Sequence, residues 1–283
     1  MKNLNQLVNR MNKVKQEFDL TKDEDYYSNE ANWQFMSVSQ YKEFYKCEAA
    51  ALAKLKQDWQ PTSDPKALLV GNYVHSYFES EEAHEKFKEE NKDAMYSKRK
   101  PFGLLKDFKV AEDMIQRLNE WNLFNFLWQG EHEVPITGEL LGIEWKGKID
   151  CLNVEKGYFI DIKTVADIHK RFYSNKYAGW TNFAQEYGYA LQIGVYQELL
   201  KQQYGKDFTG YICAVSKQNP PEVAAIQFRN NDIDFEMRDL EASIERVESV
   251  KNGEIEPEPC GVCEYCRGHY NPETIVFADE LID

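Results

Sequence analysis

Apolar positions recur along most of the chain with the spacing of amphipathic helices, and shorter apolar runs interrupt this pattern. Apolar residues three and four positions apart form one stripe on a helix, whereas short runs bounded by turn residues are typical of strands. The helical pattern covers residues 1–22, 40–59, 66–78, 79–91, 106–128, 181–200 and 232–251. The strand pattern covers residues 131–145, 149–154, 158–162, 207–216 and 222–228. The sequence therefore predicts both helices and a sheet, with Ser37 or Ser39 capping the helix at 40–59.

The most informative stretch is a predicted β-hairpin. Two apolar runs, 149–154 and 158–162, flank Glu155-Lys156-Gly157, and a glycine between two such runs is typical of a hairpin turn. If Lys156 and Gly157 form a two-residue loop, Glu155 pairs with Tyr158. This register decides which side chains of the two strands face each other.

Three charged residues occupy hairpin positions where apolar residues are expected. Residues two apart on a strand share a face, so Asp161 and Lys163 point the same way. In the register of a two-residue loop, Asp150 lies opposite Lys163, and Asp161 is its diagonal neighbour on the same face. We therefore expect two carboxylates and one ammonium group to converge.

Such a cluster can serve phosphodiester hydrolysis. Two carboxylates suit Mg²⁺ or Mn²⁺, and the ion polarises a phosphodiester and lowers the pKa of a bound water. The lysine can orient or deprotonate that water, or stabilise the charge of the transition state. A D-x-K pattern taken alone is more often an exposed hairpin with an Asp–Lys pair, so further residues must decide.

Composition and charge limit the classes of protein. A chain of 283 residues with 42% hydrophobic and 14% aromatic content can bury a sizeable core. No apolar run approaches the ~18 residues of a membrane span, and residues 1–22 carry no secretory signal, so we expect a cytoplasmic protein without a membrane partner. The net charge of −14 argues against a surface coated for nucleic acid, although a narrow groove is still compatible with it.

Two helical pairs could complete a site. Gly71 and His75 are four residues apart and share a face, and the glycine indicates that something packs closely there. His75 is then either a metal ligand at the edge of the sheet or a hydrogen-bonded, half-buried histidine. Gln192 and Tyr196 are also one turn apart, and a buried Gln192 amide needs a catalytic lysine, a carboxylate, a DNA phosphate or the backbone as its partner.

Two basic stretches are candidates for DNA contact. The first is a predicted phosphate-binding rim, for which a solvated loop is the more frequent alternative. The second interleaves cations with aromatic residues, as suits a single-stranded or frayed end, although such a loop can also pack through its own aromatics. The candidate cations are Lys98, Arg99 and Lys100 in the first stretch and Lys170, Arg171 and Lys176 in the second. Glu133 is a further possible carboxylate of the site, with little support from the sequence.

The motifs form one ordered set along the chain: Gly71-x3-His75, Gly147-x2-Asp150, Asp161-x-Lys163 and Gln192-x3-Tyr196. This set resembles the RecB-like branch of the PD-(D/E)XK nucleases. Residues 36–42 and 71–80 are most similar to phage-type exonucleases related to lambda exonuclease and to the nuclease domain of RecE. Asp161 stands where many relatives have glutamate, which leaves the chemistry intact.

The resemblance implies an α/β (α+β) fold in which helices flank a central mixed β-sheet. It implies that His75, Asp150, Asp161 and the Ile162 carbonyl bind Mg²⁺ or Mn²⁺. Lys163 would position or activate the water, and Gln192 and Tyr196 would shape the site and contact the substrate strand. The implied domains are a helical extension (1–36), a nuclease domain (37–254) and a cysteine-containing C-terminal segment packed on it (255–283).

The leading hypothesis is therefore a metal-dependent DNA exonuclease, 5′→3′ on duplex ends, acting in phage-type recombination. The family implies a homo-oligomeric ring and a single-strand annealing protein as partner. An alternative in the same class is a RecB-like CRISPR-associated or repair nuclease. An alternative of another class is a non-catalytic DNA-end-binding protein, which would have no need of Asp150, Asp161 and Lys163 together.

The cysteines suggest a second metal site. Cys260, Cys263 and Cys266 follow C-x2-C-x2-C spacing, which suits a metal in a reducing compartment better than disulfides. In some RecB-like nucleases one earlier cysteine and three late ones bind a [4Fe–4S] cluster, and Cys47 matches that order. His269 could instead complete a Zn²⁺ site, and a reduced, metal-free cluster is the third possibility.

Overall fold

A computed structural model describes residues 17–62 and 66–269, together with Ile275 and Phe277. The helices are α1 (Asp23–Tyr26), α2 (Asn29–Gln34), α3 (Val38–Lys46), α4 (Glu48–Leu55), α5 (Lys66–Glu79), α6 (Glu81–Glu90), α7 (Lys92–Met95), α8 (Lys106–Asn119), α9 (Asn122–Leu127), α10 (Phe183–Glu186), α11 (Tyr189–Tyr204), α12 (Asn230–Lys251) and α13 (Glu264–His269). The strands are β1 (Glu131–Leu140), β2 (Ile143–Asn153), β3 (Tyr158–Val165), β4 (Phe172–Ser174), β5 (Gly179–Thr181), β6 (Thr209–Ser216) and β7 (Val223–Ile226).

The central sheet is mixed. Its five strands lie in the order β1-β2-β3-β6-β7, while β4 and β5 form a separate two-stranded hairpin. Strands β3 and β6 are parallel, and the other neighbours in the central sheet are antiparallel. The parallel pair requires a crossover, and α11 lies within the segment that supplies it.

Helices cover both faces of the sheet. On one face, α3, α4, α11 and α12 pack on Ile136, Trp145, Phe159 and other core residues. On the other face, α5, α8 and α9 pack on Cys151, Ile160, Ile162 and Cys213. The predicted α+β fold, a mixed sheet flanked by helices, is confirmed.

The hairpin register differs from the predicted one. Cys151 lies opposite Ile160 and Asn153 opposite Tyr158, so the loop has four residues rather than two. Extending this register puts Asp150 opposite Asp161, and the predicted pairing of Asp150 with Lys163 is wrong. Because the shift is two residues and the side-chain period of a strand is also two, the charged residues keep their common face.

Two predicted helices are interrupted. The helix expected at 40–59 breaks at Cys47, whose φ of −165° and ψ of 103° are those of extended backbone, and Ser37 caps its first half by accepting a hydrogen bond from the Gln40 N–H. The helix expected at 181–200 divides at Gly188, which has φ of 62°. A left-handed φ is readily adopted by glycine and ends α10 before α11 begins.

The predicted segments at both ends are described only in part. Most of the helix predicted at 1–22 lies outside the described residues. In the remainder of the 1–36 extension, Tyr26, Ala31 and Met36 are buried. The segment after Lys251 packs on α4, where the Ala49 N–H donates to the Glu258 carbonyl and Arg246 pairs with both Glu48 and Glu258. Among the described helices, none combines the length and apolar character needed to cross a membrane.

Candidate active site

The neighbouring strands β2 and β3 bring Asp150 and Asp161 together. Pairing between these strands stops at Cys151, where they diverge, and Asp150 Oδ2 accepts the Ile162 N–H at 2.6 Å. A charged oxygen that accepts a backbone N–H is fixed in orientation more firmly than a solvated carboxylate. Asp150 is therefore aimed by the backbone of the neighbouring strand.

Asp161 is the most deeply buried acid of the site. It is 3% exposed, and Gln192 on α11 donates a hydrogen bond to its Oδ1. Its Oδ2 is in ion-pair contact with the Lys163 ammonium but accepts no hydrogen bond of good geometry. Gln192 thus has a carboxylate as its partner, one of the partners expected from the sequence.

His75 and Glu133 approach Asp150 from two other elements. His75 on α5 places Nδ1 3.3 Å from Asp150 Oδ2. Glu133 on β1 lies opposite Asp150 in the register, at a position where the β1–β2 ladder lacks a pair, and its φ of 51° is left-handed. One ligand atom from each of these three residues lies within 4.8 Å of the others, a spacing that can hold a metal ion.

Gly147 and Tyr196 fit against each other above β2. A β-carbon on Gly147 would stand 2.6 Å from Cε1 of Tyr196, so the ring occupies the space that any other residue would fill. Tyr196 is 8% exposed and packs 6.1 Å from the Phe159 ring. The glycine of the Gly147-x2-Asp150 motif therefore serves the docking of α11 on the strand that carries Asp150.

Two of the three carboxylates of the site have raised pKa values, although each carboxylate has a cationic partner, which is Lys148 at 3.2 Å in the case of Glu133. Burial raises the pKa of Asp161 and, with the charge of Asp150, outweighs the lowering effect of Lys163. Burial raises the pKa of Glu133 to about 7, and Asp150 adds to that effect. Burial would also raise the pKa of Asp150, but the charge and hydrogen bond of His75 lower it. A divalent cation bound beside these carboxylates would favour their charged forms and offset the effect of burial.

The two basic groups are held in their charged forms. Burial would lower the pKa of His75, but the charge and hydrogen bond of Asp150 raise it to about 9. Burial would likewise lower the pKa of Lys163, and the carboxylates of Asp161 and Asp150 raise it above its usual range. Lys163 is therefore an ammonium ion beside the acids, able to donate hydrogen bonds.

These residues line one side of a cavity of about 1030 Å³. Lys42, Lys86, Lys146 and Lys148 line it as well. Lys42 donates to the Tyr187 carbonyl at 3.0 Å and lies 5.7 Å from the centre of the Tyr189 ring, the ring that also lies 5.1 Å from Lys163 Nζ. Within the described part of the chain, no carboxylate pairs with Lys42.

The cations predicted to contact DNA lie outside the lining of this cavity. Lys98 is 3.2 Å from Asp93, and Lys176 is paired with Glu236 and Asp239, each at 2.7 Å. In the β4–β5 region, Lys170 lies 5.0 Å from the Phe172 ring and Arg171 5.0 Å from that of Trp180. Arg99 and Lys100 are exposed. None of the six predicted cations therefore lines the cavity, and Lys176 is neutralised by Glu236 and Asp239.

Two residues of the site, Lys42 and Tyr189, were not predicted from the sequence, and a third, Glu133, was predicted with little support. Glu133 received little weight because a left-handed φ at a non-glycine residue leaves no mark in the hydrophobic pattern. Lys42 and Tyr189 occur on helices without a charge cluster to distinguish them. One sequence signal points to Lys42: Ser37 is predicted to cap a helix, and Lys42 lies in the second turn of that helix. Both residues line the cavity.

The fold and the site define a class. A mixed sheet whose β2 and β3 deliver Asp150, Asp161 and Lys163, with His75 and Gln192 from flanking helices, is the arrangement of the PD-(D/E)XK nuclease superfamily. Residues 37–269 match the family described as a PDDEXK-like domain of unknown function (DUF3799), and the chain belongs to that family.

A solved structure supports the same assignment. The chain is similar to a protein from Eubacterium rectale whose crystal structure is described as that of a "putative exonuclease", with 33% identity and a TM-score of 0.83 over 92% of this chain and 97% of that one. A second structure, of SSO0001, has 15% identity and a TM-score of 0.33 over 93% of this chain and 90% of that one. No curated protein shows a significant match. The family and the first structure support a nuclease.

Proposed function

We propose that the protein is a Mg²⁺- or Mn²⁺-dependent DNA exonuclease that hydrolyses phosphodiester bonds from duplex ends. The observation that carries this proposal is the convergence of Asp150, Asp161 and Lys163 with His75 and Gln192 on one cavity wall. The 5′→3′ direction and the role in phage-type recombination rest on the resemblance of the motifs to the phage exonucleases. These two statements are more specific than the proposal of nuclease activity, and they are tested separately from it.

The residues present fit a divalent metal. Asp150, Asp161 and Glu133 supply hard oxygen donors and His75 a nitrogen, and the Ile162 carbonyl is a further candidate ligand. One ligand atom each from His75, Glu133 and Asp150 lies within 4.8 Å of the others, a spacing that suits a single ion. When bound, the metal would polarise the phosphodiester and lower the pKa of a water molecule.

The protein's own groups would prepare and stabilise the reaction. The Ile162 N–H fixes Asp150, and Gln192 fixes Asp161, so both carboxylates are oriented before the substrate arrives. The Lys163 ammonium can donate to the attacking water or to a phosphate oxygen, where negative charge develops in the transition state. Its raised pKa favours this donor role over that of a general base.

The substrate is proposed to approach through the cavity cations. Lys42 is the strongest candidate for a phosphate contact, because it lies beside Tyr189 and Lys163 and has no carboxylate partner among the described residues. With a net charge of −14, non-specific attraction to DNA should be weak. Sustained digestion would then need enclosure, and we propose a homo-oligomeric ring and a single-strand annealing protein as the partner that takes the product.

A digestion assay tests the proposal. Linear duplex labelled at either the 5′ or the 3′ end is incubated with Mg²⁺, with Mn²⁺ or with EDTA. We expect early release of the 5′ label, late release of the 3′ label and no release in EDTA. Early release of the 3′ label would reverse the proposed direction but keep the nuclease, and cleavage of circular duplex would exclude a strict exonuclease.

A matched pair of variants tests the site itself. Asp150→Asn should lower cleavage by about 10³-fold or more, because the group acts on charge that develops in the transition state. Asp113→Asn makes the same charge change on an exposed face of α8 and should leave cleavage unchanged. Full activity of Asp150→Asn would refute the assignment, and DNA binding without cleavage by the native chain would favour a non-catalytic end-binding protein.

A further inference from the structure

Four cysteine side chains from distant parts of the chain meet in one cluster outside the catalytic cavity. The Cys47 sulfur lies 3.6 Å from that of Cys266 and 3.7 Å from that of Cys263, and the Cys260 and Cys266 sulfurs are 3.9 Å apart. All four sulfurs lie within 4.8 Å of one another. His269 is not part of this group, since its Nδ1 is 2.8 Å from the Tyr265 carbonyl and its ring stacks on that residue.

The backbone around the cluster is arranged to support thiolates. The Cys260 N–H points to the Cys47 sulfur at 3.4 Å, the Cys263 N–H to Cys260 at 3.3 Å, and the Cys266 N–H to Cys263 at 3.4 Å. Three of the four sulfurs therefore accept a backbone N–H, which favours the charged form of a thiol. The extended conformation of Cys47, which separates α3 from α4, turns its side chain toward this group.

The sulfur spacing discriminates between the two kinds of metal centre considered from the sequence. Four thiolates about 2.3 Å from one tetrahedral ion lie about 3.8 Å apart, which matches the observed distances. In a [4Fe–4S] cluster each thiolate binds a different iron at the corner of a cube, so the sulfurs must lie considerably farther apart. The observed arrangement fits a single ion and does not fit the cluster that the resemblance implies.

We propose that Cys47, Cys260, Cys263 and Cys266 bind one Zn²⁺ ion. Four thiolates in a closed tetrahedral set are typical of structural zinc and leave no open position for a substrate or a water. The cysteines also do not line the catalytic cavity. The site is therefore structural and independent of the nuclease chemistry.

The ion would fasten the C-terminal segment to the junction between α3 and α4. Other contacts cross the same interface: Glu264 accepts the Thr62 N–H at 3.0 Å, and Trp59 packs 5.4 Å from Tyr265. Helix α3 carries Ser37, Ser39 and Lys42 to the cavity wall. A zinc ion at Cys47 would thus hold the far end of a helix that supplies part of the active-site wall.

Metal analysis of the purified full-length chain tests this proposal. The protein is produced in medium that contains iron and zinc, purified without oxygen, and analysed for zinc, iron and acid-labile sulfide. We expect one zinc per chain, no sulfide and no visible absorption. Iron and sulfide in a ratio of one to one, a single iron without sulfide, or a folded chain without metal would each overturn the proposal.

Two variants distinguish the loss of a cysteine of the cluster from the loss of a buried cysteine elsewhere in the protein. Cys263→Ser should lose zinc and lower the melting temperature, whereas Cys213→Ala, which alters a buried thiol of the other core, should keep one zinc per chain. If Cys263→Ser does not fold, replacement of zinc by Co²⁺ in the native chain gives a second test. The intense ligand-field bands of a tetrahedral thiolate site are expected, and weak bands of an octahedral ion would contradict it.

Discussion

The backbone of Gly147 lies directly against the phenol ring of Tyr196, with only 2.6 Å between Cε1 and the place where a β-carbon would stand. This contact couples β2, which carries Asp150, to α11, which carries Gln192. A larger residue at 147 must displace either the strand or the helix, because the interior is closely packed. One glycine thus controls the distance between two parts of the active site.

Gly147→Ala should therefore impair both stability and cleavage. We expect a loss of about 1–3 kcal/mol in the free energy of unfolding, as is typical of overpacking, and a clear fall in the cleavage rate. Denaturant unfolding and the digestion assay measure the two effects. Unchanged stability and activity would show that the ring can move aside.

Gly71→Ala provides the matched control within the same motif set. A β-carbon at Gly71 would lie 3.5 Å from Thr164 Oγ1, an ordinary contact, so the close packing expected from the sequence is not required there. Alanine is favoured over glycine by about 1 kcal/mol in a helix interior. We expect Gly71→Ala to stabilise the protein by up to about that amount, and marked destabilisation would reveal an undetected contact.

Glu133 is expected to lower the stability of the metal-free protein and to raise its affinity for the metal. Its left-handed φ of 51° costs of order 1–3 kcal/mol at a non-glycine residue. Glu133→Gly should remove that strain and raise the stability of the metal-free protein, while it weakens Mg²⁺ or Mn²⁺ binding. Glu133→Gln keeps the strain and should weaken metal binding alone; metal affinity unchanged in both variants would exclude Glu133 as a ligand.

Metal binding should depend on pH through His75. Its pKa is raised to about 9 in the metal-free protein, so the ring is protonated at pH 7. A histidine that binds a metal must be neutral and a carboxyl group must be ionised, so binding at pH 7 releases about one proton from His75 and about half a proton from Glu133, whose pKa is about 7, and the apparent affinity should rise with pH until about pH 9. Calorimetry in buffers of different ionisation enthalpy measures this release. His75→Ala should reduce it, and an unchanged value would place His75 outside the metal site.

Lys42 and Lys98 test whether the cavity or the predicted rim contacts DNA. Lys42→Ala should weaken DNA binding and reduce the slope of log affinity against log salt by about 0.9, the value for one lost phosphate contact. Lys98→Ala should change neither quantity, because Lys98 lies outside the cavity beside Asp93. Fluorescence anisotropy across a salt series measures both quantities. A loss of affinity in Lys98→Ala but not in Lys42→Ala would support DNA contact at the predicted rim.

The convergence of the candidate site residues could be predicted because it depends on the two-residue period of strands and on the spacing of helical turns. Asp150, Asp161 and Lys163 converge despite a wrong register, since an error of two residues leaves each side chain on the same face. His75 and Gln192 follow from one-turn spacings. The remaining features depend on contacts with residues distant in sequence: the break in the helix at Cys47, the left-handed φ of Glu133 and the position of Lys42 beside Tyr187.

The meeting of Cys47 with Cys266 also has a consequence for biosynthesis. The two residues are separated by 219 positions, and ribosomes add about 5–20 residues per second, so Cys47 is synthesised roughly 10–45 s before Cys266. During that interval α3 and α4 can form, but their junction has no sulfur partners. Any ion that needs all four thiolates can be bound only after translation has passed Cys266, so a chain that stops earlier lacks the complete site.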